Sequence, residues 1–139
     1  TPNLTEAAIL TDTEYEGQSP SPEYVKHMLE ALGSYHARYI VLKGIETADG
    51  KIINFVANKD ARIVKVSQEK LNVSLHGTGD LFASCILACC MNGKGIIRAT
   101  EFAGNFVCKA IAITQKQPDW QMRGVSFESL LGDVTQLVL

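Results

Sequence analysis

The sequence predicts an α/β fold, a sheet with helices laid against its faces, and three observations carry that prediction. Tyr24, Val25, Met28, Leu29 and Leu32 recur at spacings of three and four, the signature of a helix with one apolar side. Arg38 to Leu42 is a β-branched and aromatic run ending in Lys43-Gly44, the pattern of a buried strand that delivers a loop at its carboxyl end. Asp80 to Met91 is apolar on every side, as expected of a helix deep in a layered core.

The remaining elements follow in order. After Pro2, Asn3 is placed to cap a short helix from about Leu4, with the Glu6 carboxylate in its first turn, where it suits the helix dipole. Thr11 to Pro22 is rich in Thr, Glu, Ser and Pro and resists helix until Pro22 takes a first helical turn. That second helix runs to about Gly33. Lys51 to Ala57 and Ala61 to Val66 read as strands joined by the turn residues Asn58-Lys59-Asp60, an antiparallel hairpin at the edge of a mixed sheet. Asn92-Gly93-Lys94-Gly95 breaks the apolar helix. A further helix is predicted from about Ile96 to Gln115, with Phe102, Phe106, Val107, Ala110 and Ile113 inward, and a last one near Phe127 to Val138.

At 139 residues and 46% hydrophobic content the chain can bury the core of one domain. Thirteen basic against fifteen acidic residues give a net charge of -2, with no basic run to follow a nucleic-acid backbone. The most apolar stretch, Leu81 to Met91, is about half the roughly 20 residues that cross a bilayer. The four cysteines, Cys85, Cys89, Cys90 and Cys108, sit in apolar helical surroundings rather than at disulfide or zinc spacings, which fits a reducing cytoplasm. The start at Thr1-Pro2-Asn3, almost directly into a helix, reads as a cut inside a domain.

The chemistry concentrates at His76-Gly77-Thr78-Gly79-Asp80, between a polar loop and the start of the most apolar helix. Unpaired amides and the positive end of the helix dipole make such a place an anion site. Two glycines let a phosphate approach the backbone and permit the dihedrals of an amide nest, and the Thr78 hydroxyl is expected to add a donor. Asp80 is a poor phosphate ligand, because its carboxylate is repelled by a polyanion. Its natural task is to accept a proton from an attacking hydroxyl, the base that phosphoryl transfer needs besides charge stabilisation. A tight turn that merely caps a helix would also explain the glycines.

Three strings taken together discriminate further: Thr1-Pro2-Asn3-Leu4-Thr5-Glu6-Ala7, Val41-Leu42-Lys43-Gly44 and Gly77-Thr78-Gly79-Asp80-Leu81-Phe82-Ala83-Ser84. In this order and separation they resemble the ribokinase (PfkB-like) superfamily, specifically its pyridoxal/pyridoxamine kinase branch, and Gly124 to Glu128 extends the likeness. The resemblance implies the carboxyl-terminal portion of a three-layer α/β/α, Rossmann-like domain over residues 1–139, its amino-terminal half absent. It implies ATP and Mg²⁺ as cofactors, is compatible with a monovalent cation without requiring one, and implies a vitamin B6 substrate and a homodimer when full length. Asp80 is implied as the base at the 5′-hydroxymethyl group, and the amides of Gly77, Thr78 and Gly79 as the anion hole. Thr1, Asn3, Glu6, Lys43 and Gly44 are implied nucleotide contacts, with Glu6 reaching the metal through water. Because relatives draw most of the vitamer pocket from the missing half, the chain alone is expected to be inactive.

His76 also resembles the position before the loop in hydroxymethylpyrimidine kinases, whose loop ends in Cys where this chain has Asp80, so that activity is the alternative. A non-catalytic nucleotide-binding module is a third. Cys85 and Cys89 are expected in the core, His27 and His36 at the surface, and Trp120 as a loop anchor. Phe106 and Val107 have core spacing, although that helix borders the adenine in the superfamily.

Overall fold

Two units make up the chain in the computed structural model, Thr1–Lys70 and Leu71–Leu139, of which residues 1–60 and 62–138 are described. In the first unit, α1 (Leu4–Thr11) opens on a capping box. The Asn3 side chain accepts the Glu6 amide at 2.8 Å, and the Glu6 carboxylate accepts the Asn3 amide at 2.8 Å. Two donors that a helix start leaves without partners are answered in this way. A second helix, α2 (Pro22–Gly33), starts as its sequence dictates, with Pro22 in the first turn and Ser21 Oγ accepting the Tyr24 amide at 3.1 Å. Its predicted stripe, Tyr24, Val25, Met28, Leu29 and Leu32, is buried throughout.

The sheet has three strands in the order β1 (Tyr39–Glu46), β2 (Lys51–Asn58) and β3 (Ile63–Glu69). Both pairings are antiparallel, so the described strands do not form the mixed sheet expected. One isolated parallel bridge, Asn3 to Lys43, runs beside β1. The last two strands pair as the predicted antiparallel hairpin, although Asn58, expected in the turn, ends β2 and β3 runs on past Val66 to Glu69; Ala61, the expected first residue of the third strand, lies outside the described residues. Ile40, Leu42, Ile45 and Ala57 close a core with Leu4, Ala7, Ala8 and the α2 stripe. Met28 and Leu42 are fully buried, each contributing about 1.5–3 kcal/mol by leaving water.

Lys43-Gly44 does not end β1 as the sequence suggested. The strand continues to Glu46, and the register slips between Leu42 and Ile45. Lys43 and Gly44 together oppose Asn54, a β-bulge, with Gly44 at φ +78°. The extra residue changes the phase of the alternation, so that Ile45 joins Ile40 and Leu42 on the helix-covered face.

The second unit is helical: α3 (Thr78–Met91), α4 (Ile96–Thr114) and α5 (Leu131–Val138), with 3₁₀ turns at Trp120–Met122 and Glu128–Leu130. The predicted last helix thus begins as a 3₁₀ turn. Helix α3 packs on α4 and α5. Its buried side is Leu81, Phe82, Cys85, Ile86 and Cys89, whereas Leu87 and Met91 are 60% and 78% exposed. Burial is therefore one-sided rather than complete. In α4, Phe106, Val107 and Ala110 are buried as predicted, but Phe102 and Ile113 are only half-buried. The inward face instead includes Ala99, Ala103 and Gly104, small residues that allow a neighbouring helix close approach.

Candidate functional site

The second unit holds the loop His76–Asp80. Gly77 is the N-cap of α3 at φ +87°, a left-handed conformation that glycine adopts without a Cβ penalty. The Leu81 amide is the first to donate back along the chain, to Gly77 O at 3.0 Å. The amides of Gly77, the N-cap, and of Thr78, Gly79 and Asp80 precede it and have no helical acceptor. No side chain caps this helix. The Thr78 hydroxyl is not the extra donor expected: it turns away, donating to Leu75 O at 3.1 Å, so Thr78 offers an anion its amide instead. Asp80 is exposed in the first turn, its carboxylate open to solvent at the positive end of the helix dipole.

The loop stands on a strap formed by residues 124–126. The Val125 amide donates to His76 O at 3.1 Å, and the Ser126 amide donates to the buried Thr114 hydroxyl oxygen at 2.9 Å. Thr114 in turn donates to Ala110 O at 2.8 Å, and the Ser126 hydroxyl donates to Gln117 Oε1 at 3.1 Å. A Cβ at Gly77 would lie 3.5 Å from Val125 Cγ1, which is ordinary contact. Sequence reasoning missed Thr114 and gave Val125 no role beyond its place in the string Gly124 to Glu128; the signal for Thr114 is a polar residue on the apolar face of its helix.

The first unit holds the other predicted contacts, Thr1, Asn3, Glu6, Lys43 and Gly44, and brings them to one corner. The Lys43 amide donates to Pro2 O at 2.9 Å, and its ammonium donates to Thr1 O at 2.7 Å. Lys43 Nζ also lies 3.8 Å from Glu6 Oε2, the oxygen that closes the capping box. The ammonium is thus committed within the corner, although one of its three protons reaches Thr1 and others remain for an anion. Glu6 is 54% exposed, which suits contact with a hydrated Mg²⁺ through water; direct ligation would compete with Lys43. Asn54 was also missed. It is 1% exposed, accepts the Gly44 amide at 3.0 Å and donates to Gln68 Oε1 at 3.0 Å. Its signal is a lone amide within the apolar run Ile52 to Ala57.

Cys85 and Cys89 are buried, and burial pushes both thiols up, Cys85 to about 11. Among the described residues no group of three His, Cys, Asp or Glu side chains could hold a metal ion, and no helix is long and apolar enough to cross a membrane. His36 is exposed at φ +58°, His27 is exposed, and Trp120 is half-buried in its 3₁₀ turn.

Comparison with known proteins gives this geometry its context. A family model described as phosphomethylpyrimidine kinase matches residues 1–124. A hydroxymethylpyrimidine/phosphomethylpyrimidine kinase of Bacillus subtilis (strain 168) is 29% identical over 115 residues, 82% of this chain and 41% of its own length. A crystal structure from Bacteroides thetaiotaomicron VPI-5482, described as a phosphomethylpyrimidine kinase in a form with pyridoxal, superposes with TM-score 0.85 at 26% identity, covering 96% of this chain and 48% of that one. Pyridoxal kinase from Lactobacillus plantarum gives TM-score 0.82 at 25% identity, covering 98% and 48%. The chain therefore spans about half the length of the relatives it matches. With the family model covering both the Thr1–Glu6 corner and the Gly77–Asp80 loop, the chain belongs to the phosphomethylpyrimidine kinase family, within the ribokinase-like superfamily that its motifs resemble.

Proposed function

We propose that the protein bearing this chain is an ATP-dependent kinase of the B6 vitamers, moving the γ-phosphoryl group of MgATP to the 5′-hydroxymethyl oxygen of pyridoxal, pyridoxamine or pyridoxine. The observation that carries the reading is the start of α3, where first-turn amides without helical acceptors lie beside the exposed Asp80 carboxylate. Asp80 accepts the hydroxyl proton as the oxygen attacks the γ-phosphorus. The bond to the bridging oxygen breaks, and its electron pair leaves with ADP. Amides of Gly77, Thr78 and Gly79 donate to the phosphoryl oxygens, where charge must be stabilised. Thr1, Asn3, Glu6, Lys43 and Gly44 serve the nucleotide. Glu6 would hold Mg²⁺ through water, and the ion bound there would supply neutralisation of phosphate charge. The reading takes the chain as the carboxyl-terminal part of one kinase domain, inactive alone, in a cytoplasmic homodimer when whole.

A hydroxymethylpyrimidine kinase is the second reading, favoured by His76 before the loop and by the name of the Bacillus relative. Asp80, where those kinases carry Cys, favours the vitamer. ATP consumption by the intact gene product, with pyridoxal and hydroxymethylpyrimidine competing, separates the two. Consumption driven by pyridoxal supports the proposal, and consumption driven only by the pyrimidine overturns it. MgATP binding with no turnover of either compound would instead mark a nucleotide-binding module.

A further inference from the structure

Asn54 stands out as a buried polar side chain in the middle of an apolar strand that the phosphoryl chemistry above does not use. Along the β1–β2 ladder, Leu42 pairs with Phe55 and Ile45 with Ile53, so Lys43 and Gly44 share Asn54 as their counterpart. In a regular ladder the Gly44 amide would find a backbone carbonyl. Here it donates to Asn54 Oδ1 at 3.0 Å. The other end of the amide is fixed as well, Nδ2 donating to Gln68 Oε1 of β3 at 3.0 Å, so the side chain is held in one orientation. Asn54 therefore pins the bulge at this position.

The position of the bulge decides where Lys43 points. Side chains alternate along a strand, so moving the extra residue by one place, to Leu42-Lys43, turns Lys43 towards the helix-covered face of the sheet. The Lys43 amide would then leave Pro2, and its ammonium would leave Thr1 and Glu6, the three contacts that assemble the corner. Gly44 would also lose the reason for its left-handed conformation.

We propose that Asn54 is a positioning residue for the nucleotide: by holding Gly44 in the bulge it directs Lys43 at the Thr1–Glu6 corner and so sets the affinity for MgATP. The inference rests on the kinase reading of that corner. It predicts an effect on nucleotide affinity, whereas a merely structural Asn54 would change only the fraction folded.

The test is steady-state kinetics of the intact gene product, with whichever acceptor the wild type phosphorylates, together with calorimetric titration of a non-hydrolysable MgATP analogue. Asn54→Leu should raise KM for MgATP by about tenfold or more, with kcat and the acceptor KM within about threefold. Asn54→Asp keeps an oxygen for the Gly44 amide and should recover most of the affinity. Gln68→Leu, which leaves Asn54 its Gly44 bond but frees it to rotate, should give a smaller rise of the same sign, and it stands in if Asn54→Leu does not fold. Unchanged nucleotide affinity in Asn54→Leu or, failing its folding, in Gln68→Leu overturns the proposal, as does Asn54→Asp falling as far as Asn54→Leu. A wild type that neither binds MgATP nor consumes it overturns the kinase reading and this inference together; an active wild type with indifferent variants overturns Asn54 alone.

Discussion

The corner at Thr1–Glu6 and the loop at Gly77–Asp80 arrange their polar groups in opposite ways. In the corner, the polar groups already answer one another: Asn3 with Glu6, Lys43 with Pro2, Thr1 and Glu6, and Gly44 with Asn54. In the loop, the first-turn amides have no helical acceptor and Asp80 is exposed, while the support comes from beneath through Val125 and Thr114. The corner is preorganised by its own bonds and presents what they leave over. The loop is preorganised by its scaffold and presents everything. Substitutions in the loop should therefore act on chemistry, and substitutions in the corner on affinity.

The largest effect expected is at Asp80. Asp80→Asn in the intact gene product should lower turnover by about 10²–10⁴-fold, the range for a positioned general base, while MgATP still binds. ATP consumption and calorimetry read the two separately. Turnover near that of the wild type would remove the base and with it the contrast between loop and corner.

One left-handed glycine in each region sharpens the comparison. Gly77 and Gly44 have nearly the same φ, +87° and +78°, and in neither case would a Cβ collide with a neighbour. Alanine at either place should then cost a similar ~1–2 kcal/mol from the backbone alone, measured by urea unfolding. The functional outcomes should differ: Gly77→Ala reduces kcat because the amides turn, and Gly44→Ala raises KM for MgATP. Equal kinetic signatures would show that loop and corner are not separable in this way.

How much of this was legible in the sequence follows the same division. The helix starts were, because Asn3, Glu6, Ser21 and Pro22 act within a few residues of themselves. The loop was legible for that reason too: its glycines and Asp80 lie on one short string. The bulge was not, since it exists only in the register of β1 against β2, and a single strand carries no record of its partner. The exposed Leu87 and Met91 mark a related limit, because hydrophobicity says that burial would be favourable, not that a neighbour is there.

The strap beneath the loop gives the next effect. Thr114→Val removes the oxygen that accepts the Ser126 amide, leaving that donor unanswered beside a buried position, at a cost of about 1–3 kcal/mol. The unfolding midpoint should fall, and kcat should fall further than KM changes, because the strap holds His76 at the head of the loop. A variant that lost affinity for MgATP and kept kcat would reverse the assignment of support.

The effect expected to be smallest near neutral pH is a pH dependence from the buried side of α3, and its sign is fixed by burial. The Cys85 thiol titrates at about 11 in the fold, raised above its ordinary value near 9 mainly by desolvation and secondarily by Cys89. A thiol is neutral when protonated, so the folded state holds its proton more tightly than the unfolded state does. The associated stability is fully present below pH ~9 and is lost as pH rises through the interval up to ~11. Unfolding midpoints should accordingly decline across that interval, and less steeply in Cys85→Ala. Below it, an alkylating reagent should label exposed Cys90 well before Cys85, because the thiolate is the reacting species and Cys85 is both protonated and covered. Equal labelling rates would mean that the inner face of α3 opens readily, and the loop would then lack the rigid footing that distinguishes it from the corner.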